Sequence, residues 1–136
     1  MSEFCPYTYK GRPAKLKYPQ TFPMPSDREC DRRWTAIRKA MQKYKSDCLL
    51  IGLPRAYMPL FPNNHLYYIS NYVPFYGGTY LLFPVEGEPQ LAVSNNIGPQ
   101  FLHIAKETSW ISDVVTSLYP VQDVIKKIKQ LKLERG

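Results

Sequence analysis

The sequence predicts an α/β domain in which a mixed sheet is flanked by helices. Apolar residues recur at helical spacing over 27–45 and 120–131, whereas 48–52, 79–83 and 90–93 are short apolar runs of strand length. Only Pro84-Val85-Glu86-Gly87-Glu88-Pro89 joins the last two runs. A link that short cannot cross over a sheet, so at least one neighbouring pair is antiparallel. The 136 residues, 44% of them apolar, suffice for one domain with its own core.

Residues 1–25 carry Pro6, Pro13, Pro19, Pro23 and Pro25, with Tyr7, Tyr9, Tyr18 and Phe22 between them. Proline at this density forbids a helix, and the aromatics argue against a fully solvated tail. The segment reads as a basic arm lying across its own domain or across a second subunit. The domain proper, 26–136, opens with a helix over 27–45. Ser26 and Glu29 have capping-box spacing, and Cys30, Trp34, Ile37, Met41 and Tyr44 form its apolar stripe.

The run Cys48-Leu49-Leu50-Ile51-Gly52 reads as a strand buried on both faces. Asn64 to Tyr72 and Thr79 to Phe83 read as two β-type segments, with an aromatic and glycine-rich loop between them at the sheet edge. Gln90 to Val93 is the hairpin partner of 79–83. Asn95-Asn96 can cap a helix over 97–107 with Ile97, Phe101, Ile104 and Ala105 inward, and a short strand follows around Trp110 to Val115. Pro120 suits the first turn of a last helix whose stripe is Val121, Val124, Ile125, Ile128 and Leu131. The final Lys132 to Gly136 resembles a turn feeding another strand, so the chain reads as a fragment or a short gene product.

The net charge of +7 is confined to one end. Residues 1–46 hold eleven Lys and Arg against four Asp and Glu, and residues 47–136 hold seven of each. The aromatic part of the chain therefore has no excess charge to track a phosphate backbone, and nucleic acid is not the expected partner. No apolar run approaches the roughly 20 residues needed to cross a bilayer. The first residues do not form a secretory signal, and Cys5, Cys30 and Cys48 suit neither a disulfide framework nor a CxxC site. A cytoplasmic protein without a membrane partner is expected, with Cys30 and Cys48 as small buried apolar residues.

His65 and His103 have no HExxH motif, clustered carboxylates or nucleophile context, so no catalytic residue, metal or cofactor is assigned to this chain. Gly77-Gly78 precedes a strand, where turn geometry rather than a phosphate loop is expected. Glu86 and Glu88 read as solvated. The outstanding feature is aromatic: Tyr57, Phe61, Tyr67, Tyr68, Tyr72, Phe75, Tyr76 and Tyr80 lie within 24 residues. Alternation buries about half of them, and the remainder would form a contact surface for a subunit or ligand.

From Arg33 to Gly136 the chain resembles the amino-terminal domain of the creatinase, prolidase and aminopeptidase P family. The likeness runs through Arg33-x-x-x-Ile37-Arg38-x-x-Met41 and Ser46-Asp47-Cys48-Leu49-Leu50-Ile51. It continues through Tyr68-Ile69-Ser70 at the family's Tyr-Leu-Thr positions, the Pro84–Pro89 turn, Asp113-Val114 and the lysine-rich last helix. Asn71 replaces the usual glycine, a substitution that still tolerates a left-handed backbone. Gly77-Gly78-Thr79 stands where creatinases place Phe-Gly-Arg, which favours a peptidase-like parent over a creatinase.

The resemblance implies a ribonuclease-H-like fold truncated before its last strand, and a separate pita-bread catalytic domain that this sequence lacks. That domain would hold the divalent metal (Mn, Co or Zn). The part present here would be non-catalytic, would form a homodimer and would wall the neighbouring subunit's active-site cleft. His65, Tyr68, Ser70, Asn71, Tyr72, Phe75 and Tyr76 are the cleft or dimer-interface candidates. Two rival readings stand beside it. One is a free-standing module that binds a protein or single-stranded nucleic acid through the aromatic loop and basic arm, and the other is a dimerisation domain without a ligand.

Overall fold

The computed structural model describes residues 8–9, 12–13, 25–53, 65–73, 78–95 and 100–133. Two short strands in the arm, β1 (Thr8–Tyr9) and β2 (Arg12–Pro13), pair antiparallel. Helix α1 (Asp27–Tyr44) starts where Ser26, in extended conformation, accepts from the Glu29 backbone N–H at 3.3 Å. The capping box forms only by half, because the Glu29 carboxylate turns to arginines instead. Cys30, Trp34 and Met41 are buried, and Ile37 packs against the same cluster. Tyr44, expected to continue the stripe, is 75% exposed on the last turn.

Strand β3 (Cys48–Leu53) follows, then helix α2 (His65–Ser70). The expected β-type conformation of Asn64–Tyr72 is therefore incorrect. Strand alternation would set Leu66, Tyr68 and Ser70 on one face, but the residues that bury are Leu66, Ile69 and Ser70, a helical spacing. Beyond residues 74–77, β4 (Thr79–Pro84) and β5 (Gln90–Ser94) form the expected hairpin, with Gly87 at φ 89° in its turn. Helix α3 (Gln100–Thr108) buries Ala105; residues 96–99 and the side chains of Phe101 and Ile104 lie outside the described part. Strand β6 (Asp113–Ser117) begins later than the sequence suggests, with Trp110 and Ile111 as buried loop residues before it. Pro120 opens α4 (Pro120–Leu131) as expected.

The four-stranded sheet has the order β3-β4-β5-β6, antiparallel except for the parallel β5–β6 pair that α3 connects. It is the mixed α/β sheet that the sequence predicts. Alternation divides its side chains between two cores. Leu81, Phe83, Leu91, Val93 and Val114 meet α1, α2 and Ala105 of α3 on one face, where Trp34 meets Phe83 edge to face at 5.5 Å. Leu82, Ala92 and Cys48 meet Val124 of α4 on the other.

Strand β3 departs from expectation, being an edge strand buried mainly on its inner face. Leu49 and Ile51 pack inward, whereas Leu50 is 55% exposed and Gly52 is exposed. The Tyr80 ring lies over Gly52, where an added Cβ would come within 2.7 Å of a ring carbon. Gly52→Ala should destabilise the domain by about 1–3 kcal/mol through overpacking. Urea unfolding of Gly52→Ala with and without Tyr80→Leu checks this, since the smaller side chain should recover most of the loss.

Candidate functional site

A six-residue helix cannot hold itself together in water, and its last carbonyls lack intrahelical partners. In α2 each carbonyl from Leu66 to Ser70 is taken, and three of the donors come from far away in sequence. The Ser70 hydroxyl donates to the Leu66 carbonyl at 2.6 Å, and the Asn71 N–H donates to the Tyr67 carbonyl at 2.8 Å. Arg33 Nη1 donates to the Tyr68 carbonyl at 2.9 Å, Trp34 Nε1 to the Ile69 carbonyl at 2.8 Å, and the Trp110 N–H to the Ser70 carbonyl at 2.8 Å. The Tyr72 N–H then donates back to the Ser70 hydroxyl at 3.0 Å.

Asn71 ends the helix in the left-handed region at φ 59°, the geometry asparagine tolerates. Its Nδ2 donates to the Thr108 carbonyl at 3.0 Å, tying the turn to the end of α3. Ser70, Asn71 and Tyr72 are thus interior residues that shape the turn. Burial pushes the Tyr72 phenol up to about 12. His65 and Tyr68 are exposed, Tyr68 by 42%. Phe75 and Tyr76 lie outside the described residues.

Arg33, which the sequence marks only as the first residue of the Arg-x-x-x-Ile-Arg-x-x-Met motif, organises this edge. Its guanidinium lies 4.3 Å from the Tyr68 ring centroid and 5.4 Å from that of Trp110, and its side chain is only 14% exposed. Nε donates to Glu29 Oε1 at 2.8 Å, while Arg32 binds both oxygens of the same carboxylate at 2.7 Å. Spacing of three and four along α1 was the available signal for the Glu29 pairs; nothing local pointed to Tyr68. The hydrogen bonds from Arg32 first, then those from Arg33, draw the Glu29 carboxyl down to about 2. The Arg32 guanidinium is raised in turn, by Glu29 first.

Tyr68 and His65 project from a turn fixed on three sides, with the stacked arginine beneath the tyrosine. Among the described residues no group of three or more His, Cys, Asp or Glu could hold a metal ion. No helix among them is long and apolar enough to cross a membrane.

Two predictions follow from this geometry. Asn71→Gly should be milder than Asn71→Ala by about 1 kcal/mol in urea unfolding, because both lose the Thr108 bond but only alanine strains the left-handed backbone. The folded pKa of Glu29 lies below its ordinary 4.5, so its stabilising contribution is present above that pH and lost as pH falls through about 2. An NMR titration of Glu29 should find the low midpoint in the native sequence and a return toward 4.5 in Arg32→Ala.

No family model matches the sequence, and no curated protein matches it. Among solved structures the chain is similar to aminopeptidase P, an Xaa-Pro aminopeptidase from Streptococcus thermophilus. The identity is 18% and the TM-score 0.58, over 77% of this chain and 70% of that one. At that identity the likeness shows a shared fold: this chain has the mixed α/β architecture of an aminopeptidase P structure.

Proposed function

We propose that this chain is the non-catalytic amino-terminal domain of an Xaa-Pro dipeptidase- or aminopeptidase-like metallohydrolase, where it forms a homodimer and walls the neighbouring subunit's active-site cleft. The fold shared with aminopeptidase P carries the reading. The α2 turn supports it, because an exposed Tyr68 and His65 on a cross-braced turn suit a wall whose shape must not drift. The catalytic domain would supply the divalent metal, Mn, Co or Zn, and the hydrolytic chemistry. The chain's own residues would contribute shape and, through Tyr68, aromatic contact.

Two measurements on the purified chain test the proposal. Incubation with Xaa-Pro peptides and manganese or cobalt should release no proline, and reproducible metal-dependent turnover would overturn the non-catalytic assignment. Sedimentation across a concentration series should show a monomer–dimer equilibrium that Tyr68→Ala weakens. A chain that stays monomeric throughout would remove the dimer role.

A further inference from the structure

We propose that Arg33 sets the charge preference of the Tyr68 contact, so that the ring receives a neutral or acidic peptide side chain and disfavours lysine or arginine. This rests on the reading of Tyr68 as a wall or interface residue, and it names the class of group that such a wall takes. Arg33 acts through the tyrosine and is a positioning residue.

One face of the Tyr68 ring is already occupied. The Arg33 guanidinium carbon lies over it, 4.3 Å from the centroid, and 5.4 Å from the centroid of Trp110. What stays accessible in Tyr68, 42% exposed, is therefore the opposite face and the phenol edge. An aromatic ring attracts a cation through the negative faces of its quadrupole. A second cation arriving on the outer face meets a ring already polarised toward Arg33 and, behind it, a like charge. A carboxylate or an amide oxygen there meets the same charge with the favourable sign.

The guanidinium is held in place beneath the ring. Nε donates to Glu29 Oε1 at 2.8 Å and Nη1 to the Tyr68 carbonyl at 2.9 Å, and the side chain is 14% exposed. Its charge is felt through the ring and not by a direct ion pair with an incoming group. Arg32 adds to the same field, since Glu29 first, and then the Tyr68 side chain, favours its charged form. One carboxylate thus answers two guanidinium groups, and one positive charge is left over beside the tyrosine. Satisfying the Tyr68 carbonyl alone would need only a neutral donor.

The preference can be read on the full chain, at a concentration where it sediments as a monomer. The probes are three small nitroxides, one carrying a carboxylate, one a carboxamide and one an ammonium group, and the readout is paramagnetic relaxation of the Tyr68 ring protons. Tyr119 is the internal reference for the chain's overall positive charge, because it is 65% exposed and no cation lies over its ring among the described residues. The carboxylate-to-ammonium ratio at Tyr68 should exceed that at Tyr119 by about twofold or more, the effect of one charge within a Debye length. Arg33→Gln keeps a neutral donor and should bring the ratio down to that of Tyr119. Glu29→Gln keeps both guanidinium groups and should raise it further, and it carries the test should Arg33→Gln fail to fold. A side chain that merely braced the turn would not move the ratio in opposite directions in the two variants. Equal ratios at the two tyrosines, or a ratio that Glu29→Gln leaves unchanged or lowers, would overturn the charge preference and leave the cleft-wall reading standing. A chain that is monomeric at every concentration yet keeps the ratio would remove the dimer role alone.

Discussion

The structure depends on how the five successive carbonyls of Leu66 to Ser70 find donors. Helix α2 is too short to satisfy them, and burying an unpaired carbonyl costs about 1–3 kcal/mol each. The donors come from α1, from the turn itself and from the residue that leads toward β6. Three parts of the chain must therefore be in register before the turn is satisfied. Trp34 joins this condition to the core, because the indole that donates to Ile69 also packs edge to face on Phe83 of β4.

Arg33 and Trp34 are adjacent, yet they serve the turn differently. Trp34 is buried and fixes depth. Arg33 lies at the boundary, where Tyr68 and Trp110 flank its guanidinium and Glu29 holds its Nε. Arginine suits this place because its planar fork can stack and donate in plane at the same time, which a lysine ammonium cannot do. The exposed tyrosine is consequently held by its backbone carbonyl and by its ring. An exposed side chain held at both points has less freedom left to lose.

Much of the fold was legible because its signals are local. The Ser26 cap, the α1 stripe, the Pro84–Pro89 hairpin and Pro120 at the start of α4 each act within a few residues. Helix α2 was illegible for the opposite reason: its aromatic composition favours a strand, and two of its decisive donors lie 35 residues earlier. Strand β3 misled because an apolar run does not say how many layers will cover it. Of the candidate residues, Tyr68 and His65 are accessible, whereas Ser70, Asn71 and Tyr72 act from inside by setting the turn's shape.

The two sides of the sheet pose different physical problems. On the α1 side the polar groups of an irregular connection are satisfied by side chains and backbone N–H groups drawn from distant parts of the chain, so shape there is over-determined. On the α4 side, among the described residues, what remains is apolar area: Val121, Ile125 and Leu50 are exposed although their positions follow regular periodicities. A helix stripe and a strand face are selected for burial by the same free energy, about 25 cal/mol per Å² of apolar surface. An over-determined edge presents a fixed shape to whatever meets it. The α2 turn is therefore the part of the described domain whose shape is most tightly fixed.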